Sequence, residues 1–143
     1  MEQNYANHRR FMPLYHYVLS LLMLVALACS LVLVYRAFAG GYDRLVAVMI
    51  LLLVIIALIE AGLLRIFPLK AQDRAIRAEE NLRHYVLYGS LLDPGLTTRQ
   101  IIGLRFAGDE ELGSLAKRAV EENLSENDIK KAVKTWRADN YRV

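Results

Sequence analysis

The sequence predicts an all-α protein, with a two-helix transmembrane hairpin followed by a stalk helix and a small three-helix cytosolic unit. Three observations predict it. Val18 to Tyr35 runs eighteen residues without a charge, and Leu45 to Leu64 runs twenty residues with one, Glu60. Composition then inverts: residues 1–64 carry four Lys/Arg and three Asp/Glu, whereas residues 65–143 carry fourteen and twelve, a net of only +2. In that charged half, apolar residues recur at spacings of three and four between capping and turn residues. The chain divides into a head (1–16), a first membrane helix (17–38), a short external loop (39–44), a second membrane helix (45–64), a membrane-proximal stalk helix (65–92) and a three-helix module (97–143).

A hydrocarbon core about 30 Å thick needs roughly 20 apolar residues as helix, and both runs meet that length. Both are apolar all round, which suits lipid as solvent better than an amphipathic seat on a soluble core. The rest of the chain has too little apolar surface to wrap two such helices. Tyr15, Tyr17, Tyr35, Phe38, Tyr42 and Phe67 flank the runs, where amphipathic rings favour the membrane boundary. Arg9-Arg10 followed by an apolar run resembles an export signal, with Cys29 as a faint lipoprotein cleavage site. The run continues past Cys29 to Tyr35, however, and bulky Leu27 stands two residues before the cysteine. It therefore reads as an uncleaved anchor. A lone cysteine allows no disulfide within one chain.

Residues 36–44 join the runs, with Gly40-Gly41 marking the turn. So short a link makes an antiparallel hairpin with both termini on one side. Arg9 and Arg10 precede the first run, Arg65, Lys70, Arg74 and Arg77 follow the second, and the loop holds only Arg36 and Arg44. The positive-inside bias places both termini in the cytoplasm, in a bacterial inner membrane.

Glu60 lies one turn from the cytoplasmic end of the second span, where an unpaired carboxylate costs a few kcal/mol. His16 and Arg10 stand at similar depth, so a His16–Glu60 or Arg10–Glu60 contact is expected to fix helix register. A proton or ion relay would need further acidic or polar partners in the spans. Ala26 with Ser30, and Ala57 with Ala61 beside Gly62, offer small-residue spacings for close helix approach.

In the stalk, Ala71, Ala75, Ala78, Leu82 and Tyr85 form one narrow stripe that needs a partner, either the last helices or another copy. Asp73–Arg77, Glu79–Arg83 and Glu80–His84 are i,i+4 pairs on its other faces. Pro68 marks a start or kink, and Gly89 with Asp93-Pro94-Gly95 ends the helix. Thr97 and Gln100 form a capping box for a helix over 98–107, closed by Gly108. Asp109 caps the second helix, whose first turn holds Glu110 and Glu111 and whose apolar face is Leu112, Leu115, Ala116, Ala119 and Val120. Ser125 caps a third, burying Ile129, Ala132, Val133 and Trp136. Lys130, Lys134 and Arg137 then share an exposed face, read first as solvated and next as a contact for anionic headgroups. The balancing acids and the lack of exposed stacking aromatics argue against nucleic acid. Arg105, in an otherwise apolar helix, is expected to pair with a carboxylate such as Asp109 or Glu110 and so orient two helices, the alternative being a partner-binding hot spot. The phosphate-loop, dinucleotide, nucleophile-elbow and closed metal-site patterns are absent from the sequence, so no enzyme, metal or cofactor is expected.

Two stretches carry a resemblance. The head reads Asn4-Tyr5-x-Asn7-His8-x-Arg10-Phe11-x-Pro13-Leu14-Tyr15-His16. The tail reads Gln100-Ile101, Leu104-Arg105-Phe106-Ala107-x-Asp109-Glu110-Glu111-Leu112, Glu122-Asn123-Leu124-Ser125 and Asp128-Ile129-Lys130-Lys131-Ala132-Val133-Lys134-x-Trp136, ending in Arg142-Val143. In these the chain resembles an uncharacterised family of short bacterial two-span membrane proteins with a helical cytosolic tail. The resemblance implies the same layout and no activity. Read physically, the aromatic, histidine-bearing head could pack on the underside of the tail. The function expected is a non-enzymatic inner-membrane scaffold whose helical module binds a protein partner or self-associates. The alternatives are a small oligomeric transporter or channel and an accessory subunit of a larger membrane complex. Membrane lipids are the expected surroundings.

Overall fold

The computed structural model describes residues 3–8 and 12–139. They are all-α, without strands, and fall into two compact units. One comprises residues 12–67, and the other residues 3–8 together with 68–139.

In the first unit, a π-helical segment Leu14–Leu19 runs into α1 (Ser20–Phe38). Gly40 at φ 100 makes the turn, and α2 starts at Arg44 after Asp43, whose carboxylate accepts the Leu45 N–H at 2.8 Å. The helices pair as an antiparallel hairpin. The Tyr15 hydroxyl donates to Ala61 O at 2.6 Å, and Ala37 and Ala47 are buried on either side of the loop. Small side chains at these points permit close approach, and Ser30, also buried, returns its hydroxyl to Leu27 O. Nearly everything large points outward: Leu22, Leu24, Leu53 and Leu64 are each at least 60% exposed. Both helices are long and apolar enough to cross a membrane.

Of the two readings of Pro68, a helix start or a site within one continuous helix, the second holds: the second span and the stalk are one helix, α2, running Arg44–Tyr88 with Pro68 inside it. Proline costs that helix the hydrogen bond to Leu64 O. Gly89, at φ 73, ends it in the left-handed conformation that glycine adopts freely.

In the second unit, α3 (Thr98–Leu104), α4 (Asp109–Glu121) and α5 (Glu126–Ala132) enclose Phe106, Ile101, Leu104, Leu112 and Ile129, all fully buried. The capping box at Thr97 forms as expected. Gln100 does more than cap, donating its amide to Ala119 O at 2.9 Å and Leu124 O at 3.1 Å, which ties α3 to the end of α4. Asn123, left-handed at φ 47, completes that end: Leu124 N–H bonds Ala119 O and Asn123 N–H bonds Val120 O. Gly103 lies where α3 crosses α5, and a Cβ there would stand a tight 3.1 Å from both Glu126 O and Ile129 Cγ2.

Four expectations change. Helix α3 stops at Leu104 rather than 107, because Ala107 pairs with Trp136 in a lone antiparallel bridge. Gly108, not Asp109, is the N-cap residue of α4, and Glu111 accepts its N–H. Helix α5 ends at Ala132 rather than continuing through Trp136. Glu111 takes the N–H groups of Lys134 and Thr135, and Phe106 O takes that of Arg137, so the chain leaves the helix extended. The fourth concerns the stalk. Its Ala71–Tyr85 stripe is exposed, and the opposite side, Ile76 and Glu80, is buried.

Candidate functional site

The buried face of α2 combines apolar Ile76 with an ionic network. Glu80, 4% exposed, places its two carboxylate oxygens against Arg83 Nη1 at 2.9 Å and Arg137 Nη1 at 3.3 Å. The other side of the Arg83 fork grips Asp109 Oδ1 at 2.6 Å and Ala107 O at 2.7 Å. One helix of the chain is thus tied to the turn before α4 and to the segment after α5. Desolvating charges is costly, and the guanidinium forks recover that cost by filling fixed hydrogen-bond geometry. One turn on, Tyr88 donates to Asp109 O at 2.7 Å and accepts from Gly113 N–H.

Beside this network lies an aromatic cluster built from three parts of the sequence. Phe106 and Trp136 rings stand 5.0 Å apart, and the buried His8 ring lies 5.8 Å from Phe106 and 6.0 Å from Trp136, with Tyr5 stacked on its far side. Arg105 lies over Phe106 at 4.6 Å and reaches Asp139 Oδ2 at 3.2 Å. The Gln3 side-chain amide in turn accepts the Asp139 backbone N–H and donates to the Asp139 carbonyl. Residues 3–8 therefore pack on the tail, as the head motif suggested. A cleft of about 100 Å³ between the two clusters is lined by Glu79, Glu80 and Asp139 against Arg105 and Arg137. With three acids facing two bases, it has no net attraction for an anion.

Five of the residues singled out from sequence come together here: Arg105, Asp109, Lys130, Trp136 and Arg137. Their partners differ from those expected. Arg105 pairs with Asp139 because Arg83 occupies Asp109. Lys130 is buried, pairs with Glu126 and lies 5.6 Å from the Phe106 ring. Arg137 holds Glu80, and Lys134 offers its backbone N–H to Glu111. The expected basic face of Lys130, Lys134 and Arg137 therefore does not exist, because it needed a helix that ends at Ala132. Glu80 pairs with Arg83 and Arg137 rather than His84, whose Nδ1 sits 2.6 Å from Ser90 O. In the hairpin unit, the expected His16–Glu60 contact does not form. His16 Nδ1 lies 2.9 Å from Met12 O, and Glu60 is exposed with no ion pair among the described residues. Arg10, its other expected partner, lies outside the described residues, as do Arg142 and Val143.

Glu80, Arg83, His8, Glu111 and Asp139 were missed as site residues. A carboxylate three residues before an arginine was the available signal for the first two. The others act over more than twenty residues of chain, beyond any local pattern. On the outer surface, Arg118 hydrogen-bonds Glu122 at 3.1 Å and holds that carboxyl below the usual carboxylate range.

Compared with known proteins, residues 1–143 match a family described as a family of unknown function (DUF6526). No curated protein and no solved structure matches the chain.

Proposed function

The chain belongs to this family of unknown function over residues 1–143, and from that premise we propose that it is a non-enzymatic membrane scaffold. The hairpin anchors it in a bacterial inner membrane, and the helical module, cytoplasmic with both termini, docks a protein. The carrying observation is the pair of helices long and apolar enough to cross a bilayer, with their large side chains turned outward. Water around Leu22, Leu24, Leu53 and Leu64 would cost roughly 1.5–3 kcal/mol for each fully exposed side chain, and lipid removes that cost. Two further observations support the topology. Residues 3–8 belong to the same compact unit as residues 68–139, consistent with an even number of crossings. Arginines and lysines also gather at the ends away from the 39–43 turn.

Docking is favoured over chemistry because the polar groups at the centre of the module are spent on one another. Glu80, Arg83, Arg137 and Asp109 neutralise and orient one another, so Glu80 and Arg137, which line the cleft beside them, are already paired. Membranes carrying the full chain, tagged at either end, test the reading. The protein is expected to resist alkaline carbonate extraction, and both tags to be shielded from a membrane-impermeant reagent until the membrane is opened. Release by carbonate, or tags on opposite sides, overturns it.

A further inference from the structure

We infer that the exposed stripe of α2 is a parallel homodimer seam, at which two copies pair along Ala71, Ala75, Ala78, Leu82 and Tyr85. The inference rests on the membrane reading above, because insertion of every hairpin in one sense makes the α2 helices of neighbouring copies parallel.

The stripe has alternating spacings of four, three, four and three, the a/d repeat of a two-stranded coiled coil. All five residues are exposed, Leu82 at 63% and Tyr85 at 55%. The module cannot cover them, since it is already seated on the other side of the helix through Ile76, Glu80 and Arg83. One helix therefore has a filled face and an empty one. Alanines at three of the five positions let two backbones approach closely, and Leu82 and Tyr85 supply the apolar area farther along.

Charge selects a second copy as the occupant. In this register Arg74 is a g position and Glu79 the e position of the next heptad, five residues on. In a parallel pair these two face each other across the seam, and twofold symmetry makes the contact twice. Both residues are exposed, and neither makes an ion pair among the described residues. A foreign partner would need the complementary pattern. A second copy supplies it with no further assumption.

The test uses the full chain in native membranes, with Cys29 replaced by alanine and single cysteines introduced along α2. At a and d positions each residue opposes its own twin. Oxidation is therefore expected to cross-link A78C and L82C at least about fivefold more than R77C, which is also exposed but on another face. In the L82C background, R74E or E79R alone is expected to lower cross-linking on the order of three- to tenfold by setting like charges together, and R74E with E79R to restore it. Equal cross-linking at all three sites, or a double reversal that fails to restore, overturns the seam. If the protein remains carbonate-resistant in that case, the scaffold reading survives without it. Release by carbonate overturns both.

Discussion

Replacing Glu80 by glutamine isolates what the buried ionic network contributes. The glutamine keeps the volume and one acceptor but removes the charge that Arg83 and Arg137 share. Breaking a buried pair by deleting one partner costs about 3–5 kcal/mol. Two features reduce that here. Arg83 keeps Asp109 and Ala107 O, and the Arg137 side chain, 54% exposed, rehydrates in place. About 2 kcal/mol remains, mostly the incomplete pairing of Arg83, whose side chain is only 10% exposed. Trp136, the one tryptophan of the chain, packs on Phe106 and reports the module without signal from the hairpin. Urea unfolding of the full chain in detergent, read by Trp136 fluorescence, is expected to show a midpoint lowered by ~1–2 M at the slope of a small domain. Arg137→Ala, exposed and less desolvated, should cost under ~1 kcal/mol. A Glu80→Gln loss below ~0.5 kcal/mol, or a larger loss for Arg137→Ala, would refute the assignment of Glu80 as the centre of the network.

Gly103→Ala should destabilise the module by ~1–2 kcal/mol by the same readout, because overpacking against Ile129 and Glu126 O outweighs the better helix propensity of alanine; a stabilised variant would show that α3 and α5 part easily. The Arg118–Glu122 pair should matter only above the titration of its carboxylate. Because the folded state holds Glu122 lower than the unfolded chain does, the contribution is full above the unfolded-state value and is lost as pH falls through the folded one. A small helicity difference between the native chain and Glu122→Gln at neutral pH should therefore vanish on acidification, and a difference that persists at pH 2 would contradict it.

The sequence made the hairpin, the capping box at Thr97, the cap at Ser125 and the turn glycines legible, because each is set by length, apolar content or neighbours within four residues. It misled wherever a distant group offered a better bond than the helix did. The period of α5 continues smoothly through Trp136. The helix nevertheless stops at Ala132, because Glu111, more than twenty residues upstream, captures the Lys134 and Thr135 N–H groups. Likewise the local choice of Asp109 for Arg105 ignored Arg83, which reaches Asp109 from α2. The site therefore appeared in sequence as part of its residues, Arg105, Asp109, Lys130, Trp136 and Arg137, without the Glu80, Arg83 and Asp139 that pair with Arg137, Asp109 and Arg105.

The inverted packing of α2 follows from the self-sufficiency of the module. Phe106, Ile101, Leu104, Leu112 and Ile129 already fill the space between α3, α4 and α5. An added alanine-rich stripe would meet no apolar vacancy there. What the module presents to α2 is one apolar seat, which Ile76 fills, and a polar rim of the Ala107 carbonyl, Asp109 and Arg137. A helix face carrying Ile76 beside Glu80 and Arg83 satisfies both, and the alanine-rich stripe is left outside. A seam of three alanines, one leucine and one tyrosine is too short to hold two soluble chains together. Helices confined to one membrane in parallel orientation meet at a high effective concentration, and the entropy of association falls largely on the anchor. The weakness of the stripe is thus compatible with dimerisation, provided that the hairpin stays in the bilayer.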